Sequence, residues 1–118
     1  MDLINKNKSA MDRKISLSHE KVIDITQQII EGLKYLFQKG IIHRDIKPAN
    51  ILKGKNGWKI ADFGFAIFSN TEIKSKFNVG TPLYMPIESL KENLYSPESD
   101  IFSVGIILYE LSTGRTPW

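Results

Sequence analysis

The sequence predicts an α+β chain. Three stretches carry that expectation: a helix-spaced apolar run from Val22 to Leu36, a glycine-flanked turn between short apolar runs at 51–61, and an apolar helix from Ser99 to Leu111. Residues 1–15 are rich in lysine and asparagine with weak periodicity and read as a short helix or a frayed segment. From Ser18 onward Val22, Ile25, Ile29, Leu33 and Leu36 recur at intervals of three and four, with Ser18 as N-cap, Glu20 in the first turn and Gly40 just past the end. Ile41-Ile42 and Ile51-Leu52 are short apolar runs on either side of a charged stretch. "GKNG" at 54–57 then supplies a tight turn into "WKIA" at 58–61. Residues 64–82 mix glycine, serine, asparagine, lysine and phenylalanine without a period, longer than connecting loops usually run, which favours a functional or mobile segment. In the last helix, stopped by Gly114, Ile101, Phe102, Val104, Ile106, Ile107, Leu108 and Leu111 lie on nearly every face. That pattern belongs to a helix meant to be surrounded, and after Trp118 nothing remains to surround it.

Composition narrows the function classes. The 118 residues are 42% hydrophobic, enough for one modest soluble core. The charge of +3 comes from 16 basic and 13 acidic residues, with lysines scattered rather than gathered into a stripe, so no nucleic-acid footprint is indicated. The absence of cysteine excludes disulfide scaffolds, zinc ribbons and thiol nucleophiles, and leaves oxygen to hold any metal. No signal peptide is visible in "MDLINKNKSA", and the longest apolar stretch, 101–109, is far short of the roughly 20 residues of a membrane span. A cytoplasmic location fits this composition.

Folding alone does not explain why His43, Arg44, Asp45, Lys47 and Asn50 sit between two apolar pairs, with Asp62 closing the next strand. "HRDIKPAN" at 43–50 followed by "DFG" at 62–64 resembles the catalytic loop and metal-binding motif of eukaryotic-type protein kinases. "GTPLYM" at 80–85 resembles the substrate-docking segment after the activation loop, and "SDIFSVGIILYEL" at 99–111 the central buried helix of the large lobe. "DFGFA" with "GTPLYM" is most like the autophagy-initiating serine/threonine kinases. The resemblance implies a partial protein-kinase-like fold over 1–118: a mainly helical large lobe with a short β-hairpin at the catalytic loop.

It also implies roles. Phosphoryl transfer is catalysed by positioning and by neutralising charge, so acid and amide oxygens must converge. Asp45 would take the proton of a substrate hydroxyl, and Lys47 would reach the transferring phosphoryl group, the serine/threonine-type pattern. Asn50 and Asp62 would supply oxygens to Mg2+ beside ATP. Leu52 matches the position beneath adenine, or is an ordinary strand core residue. His43 and Phe63 resemble two layers of a stacked apolar column, and His43 takes no proton-transfer role. Gly64 eases the metal-binding turn. Asp100 resembles the acid that binds the catalytic-loop backbone, or is a first-turn helix acid. Arg44 is the feature of kinases switched by activation-loop phosphorylation through an upstream kinase, with Ser75, Thr71 or Ser69 as the acceptor, Phe77 holding the usual threonine position. Thr81 matches the threonine that bridges the catalytic aspartate and lysine.

There are departures. The family's Ala-Pro-Glu is "PIE" at 86–88, leaving Glu88 either facing water or without its arginine, and Phe102 stands for a usual tryptophan. The sequence contains no glycine-rich phosphate loop, no "VAIK" lysine and no partnering glutamate, starting as if just after the inter-lobe hinge and stopping at "GRTPW". That omission reads as biological loss or an incomplete gene model. The function expected is ATP-dependent phosphorylation of protein serine and threonine, negligible in this polypeptide alone. The alternatives are a non-catalytic kinase-like binding module and a small-molecule phosphotransferase of the antibiotic-kinase type.

Overall fold

A computed structural model describes residues 17–69 and 79–118. The segment 1–15, together with Thr71, Ser75 and Phe77, lies outside the described residues. Helix α1, His19–Gln38, starts where expected: the Ser18 hydroxyl accepts the Lys21 N–H at 3.2 Å. Its apolar stripe, Val22, Ile25, Ile29 and Leu36, is buried to 5% exposure or less. Each such side chain contributes on the order of 2 kcal/mol by leaving water.

Two small antiparallel sheets follow. Strand β1, Ile41–Ile42, pairs with β4, Ile67–Phe68, in the register Ile42↔Ile67. Strand β4 falls in the stretch read from sequence as aperiodic, because two residues are too few to show alternation. Strands β2, Ile51–Gly54, and β3, Gly57–Ile60, form the expected hairpin, closed by the Gly54↔Gly57 pair around Lys55 and Asn56. The hairpin is pinned to α1 by Gln28, whose Oε1 accepts the Trp58 N–H at 2.7 Å. A Cβ on Gly57 would collide with that oxygen, and its φ of +106° independently calls for glycine.

Single 3-10 turns, each opened by proline, occupy Pro48–Asn50 and Pro82–Tyr84. A short helix α2, Ile87–Glu92, leads to α3, Pro97–Thr113. Helix α3 runs two residues beyond the expected 99–111 at each end. Pro97 begins it, the Ser99 hydroxyl turns back to accept the Ser96 N–H at 2.8 Å, and Gly114 ends it in a left-handed conformation. The core gathers Ile25 and Ile29 of α1, Ile46, Ile51, Trp58, and Val104, Ile107 and Leu111 of α3.

The last helix, read as apolar on nearly every face with too little chain to surround it, is indeed left open on one face. Val104, Ile107 and Leu111 are buried, but Ile101 is 56% exposed and Leu108 38%. These two, with Ile30, Leu33 and Phe37 of α1, line an open apolar groove of about 490 Å³. The described elements pack against α3 from one side only. No described helix is long and apolar enough to cross a membrane.

Candidate active site

The charged stretch 43–50 owes its shape to Asp100. This carboxylate, 2% exposed in the first turn of α3, accepts the His43 N–H at 2.7 Å and the Arg44 N–H at 3.1 Å. It is a first-turn helix acid by position and the holder of the loop by contact. Burial pushes its pKa above the usual 3.8, and the two backbone N–H groups oppose that rise without cancelling it. The hold is needed because Arg44 sits at φ +73°, a left-handed backbone that costs a non-glycine residue about 1–2 kcal/mol.

His43 is wholly buried and its ring is committed. Nδ1 accepts the Asp45 N–H at 3.1 Å, so Nε2 must carry the proton it donates to the Ala61 carbonyl at 2.9 Å. Phe63 meets the ring edge-on, centroids 5.0 Å apart, consistent with a packing residue.

Asp45, Lys47 and Asn50 come together beside Thr81. Asp45, 9% exposed, receives the Asn50 amide on Oδ2 at 3.2 Å and the Thr81 hydroxyl on Oδ1 at 3.3 Å. The same Asn50 nitrogen donates to the Asp45 carbonyl at 2.8 Å. Lys47 donates to Thr81 Oγ1 at 2.9 Å and lies 3.7 Å from Asp45 Oδ2. The Thr81 hydroxyl therefore links lysine to aspartate. It reaches them because Gly80, at φ +97°, lets its segment press on the loop: a Cβ there would lie 2.5 Å from the Arg44 carbonyl oxygen. The "GT" of the docking segment thus has a steric reason for its first letter.

The hairpin sets the remaining members. The Asn50 carbonyl accepts the Ala61 N–H at 2.8 Å and Ile51 pairs with Ile60, which brings Asp62 to the same end of the hairpin as Asn50. Asp62 is exposed and itself left-handed, φ +59°, with Oδ1 accepting the Gly64 N–H at 3.3 Å. Leu52 is 43% exposed, so it is not the strand core residue that one reading of the sequence allowed. Glu88 faces water, which disposes of an unpaired buried carboxylate.

The Arg44 side chain is engaged by two neighbours among the described residues. Its Nε donates to the Phe65 carbonyl at 2.6 Å, its guanidinium lies 5.1 Å above the Tyr95 ring, and burial lowers its pKa. The Ser69 N–H bonds the Gly40 carbonyl at 2.6 Å.

Two contacts were not anticipated from the sequence. Tyr84 donates to Glu110 of α3 at 2.6 Å, and burial together with that bond pushes the phenol pKa well up. Tyr95 grips Val79, its hydroxyl accepting the Val79 N–H and donating to the Val79 carbonyl, both at 3.0 Å. A tyrosine in the short linker 93–96 was the available signal for the second.

Residues 1–118 match a family model described as a protein kinase domain. The chain is 44% identical over 103 residues to serine/threonine-protein kinase atg1 of Dictyostelium discoideum, covering 84% of this chain and 15% of that protein. It is 45% identical over 105 residues to serine/threonine-protein kinase TIO of Arabidopsis thaliana, covering 86% and 8%. With serine/threonine-protein kinase unc-51 of Caenorhabditis elegans the figures are 34% over 119 residues, 92% and 14%. The chain thus spans between 8% and 15% of the length of these relatives.

Proposed function

The chain belongs to the protein kinase domain family, and on that premise we propose that it supplies the catalytic end of a serine/threonine protein kinase, transferring the γ-phosphoryl group of ATP to a protein hydroxyl. The observation that carries this reading is the Thr81 hydroxyl bridging Asp45 and Lys47 while Asn50 holds the other Asp45 oxygen. Asp45 is kept with one oxygen beside each neighbour, placed to orient the incoming hydroxyl and accept its proton. Lys47, reaching forward to Thr81, is placed to follow the phosphoryl group.

The donor set suits Mg2+. Asn50 spends its amide nitrogen on Asp45, which leaves Oδ1 for a cation; Asp62 is exposed and has an oxygen not used by Gly64. No group of three or more acids, histidines or cysteines that could cage a metal occurs among the described residues. Two protein oxygens are what an ion that retains waters and phosphate oxygens requires. Bound there with ATP, Mg2+ would neutralise charge on the phosphates. Leu52, exposed on β2, would meet the adenine. Arg44 would pair with a phosphorylated hydroxyl outside the described residues, added by an upstream kinase, and the site of action would be the cytoplasm.

The test is an exchange: these 118 residues replace the matched stretch of the Dictyostelium kinase, and Mg2+-dependent transfer from ATP to a serine peptide is measured. Transfer that falls by roughly 10²- to 10⁴-fold on Asp45→Asn is expected. Absence of transfer in the folded exchange protein, with the parent active, overturns the reading. The 118 residues alone contain no G-x-G-x-x-G stretch, and negligible transfer by that polypeptide is expected in the same assay.

A further inference from the structure

The bridge made by Thr81 is only as well placed as the backbone that carries it. Thr81 is not held by its own helix or strand: it precedes the 3-10 turn Pro82–Tyr84 and follows Gly80, a residue with wide conformational freedom. Something must fix the approach to Gly80. On the side facing Arg44, Tyr95 does so twice over. Its hydroxyl closes on both polar groups of Val79, at 3.0 Å each, and its ring lies 5.1 Å from the Arg44 guanidinium. Arg44 is in turn held by Asp100 through its N–H and by Phe65 through its Nε. Gly80 has no space for a side chain, since a Cβ there would lie 2.5 Å from the Arg44 carbonyl oxygen and 2.9 Å from the Met85 methyl.

We propose that Tyr95 is a positioning residue: gripping Val79 with its hydroxyl and backing Arg44 with its ring, it sets where the Thr81 hydroxyl stands between Asp45 and Lys47. The chain of contact is short. Val79 is two residues from Thr81, and the intervening Gly80 runs so close to Arg44 that a Cβ there would lie 2.5 Å from the Arg44 carbonyl oxygen. A main chain tied at residue 79 and passing close to Arg44 at residue 80 leaves the Thr81 side chain little latitude. The ring and the hydroxyl have separable duties, since a phenyl ring can still back Arg44 while releasing Val79. The catalytic meaning of this clamp rests on the kinase reading above; its geometry does not.

The experiment uses Tyr95→Phe and Tyr95→Leu in the 118-residue chain, with amide hydrogen exchange at Val79 and the methyl resonance of Thr81 read by NMR. Tyr95→Phe is expected to speed exchange at Val79 by about tenfold, the loss of two ordinary hydrogen bonds, and to shift the Thr81 methyl, with protection in α1 unchanged. Tyr95→Leu is expected to do both and also to move the Arg44 side-chain signals. In the exchange kinase, Tyr95→Phe is expected to lower kcat with KM for ATP unchanged, because Asn50 and Asp62 are untouched. Unaltered Val79 exchange and Thr81 methyl signals in Tyr95→Phe overturn the clamp, as does equal loss of protection throughout the chain. Altered signals with unaltered kcat overturn the positioning role while the kinase reading stands. If the exchange kinase transfers nothing with Tyr95 intact, it is the kinase reading that fails, and the NMR result alone decides the clamp.

Discussion

The catalytic-loop end and the outer face of α1 and α3 treat water in opposite ways. At the first, Asp45, Asn50 and Asp100 are 9% exposed or less and each is hydrogen-bonded to backbone or side chain. At the second, Ile30, Phe37 and Ile101 are each close to half exposed or more. Burying polar groups is costly unless every one finds a partner, and a chain seeking stability alone would place apolar residues there. The loop end is therefore organised around where its atoms must stand, and the outer face around nothing that the described residues supply. Positional demand gathers at the loop and exposed apolar surface at the groove, and Asp100 borders both.

The contrast can be broken most sharply at Asp45. Asp45→Asn keeps the size and one acceptor oxygen, so the chain is expected to melt within a few degrees of the parent while transfer in the exchange kinase drops by roughly 10²- to 10⁴-fold. Equal loss of stability and transfer would make Asp45 a structural residue. Asp100 tests the opposite case. Asp100→Ala strands two buried N–H groups, and a loss of about 2–4 kcal/mol in urea unfolding is expected.

The Asp100 carboxyl also predicts a pH dependence. Its folded pKa lies above the ordinary 3.8, so the folded chain binds its proton more tightly than the unfolded chain does. That contribution to stability is complete below 3.8 and is lost as pH rises through the elevated folded value. Asp100→Asn, which cannot titrate, should lose less stability than the parent over that rise, although its amide nitrogen faces one of the two N–H groups. A parent whose unfolding free energy climbs with pH by the same amount as the Asn variant contradicts this assignment.

Gly80 sharpens the comparison with a smaller effect. Gly80→Ala places a methyl 2.5 Å from the Arg44 carbonyl oxygen and strains φ +97°; a cost of about 1–3 kcal/mol is expected in the same unfolding assay. The smallest change in stability belongs to the outer face. Ile101→Lys should shift unfolding by no more than about 0.5 kcal/mol while raising the concentration at which the chain stays monodisperse in light scattering. A large destabilisation there would mean the face is covered.

What could be read in advance follows the range of the interactions. Helix α1 was legible because its period repeats over five turns, and the hairpin because two glycines bracket a two-residue turn. The loop residues were legible because Asp45, Lys47 and Asn50 meet within a few positions of one another. Strand β4 escaped because its two residues pair with Ile41-Ile42, some 25 positions back, without any alternation of their own. Tyr95 escaped for a similar reason: its partners Val79 and Arg44 lie 16 and 51 positions away. The open face of α3 was legible because its apolar residues lie on nearly every side, more than the neighbouring elements cover.

The bond from Asp100 to His43 bridges 57 residues, and that span has a consequence for synthesis. A ribosome adding roughly 5–20 residues per second needs about 3–11 s to travel from one partner to the other. Throughout that interval the 43–50 stretch lacks the Asp100 acceptor for its two N–H groups, and Arg44 lacks the carboxylate that holds it left-handed. The 43–50 stretch is thus translated early and fixed in place late.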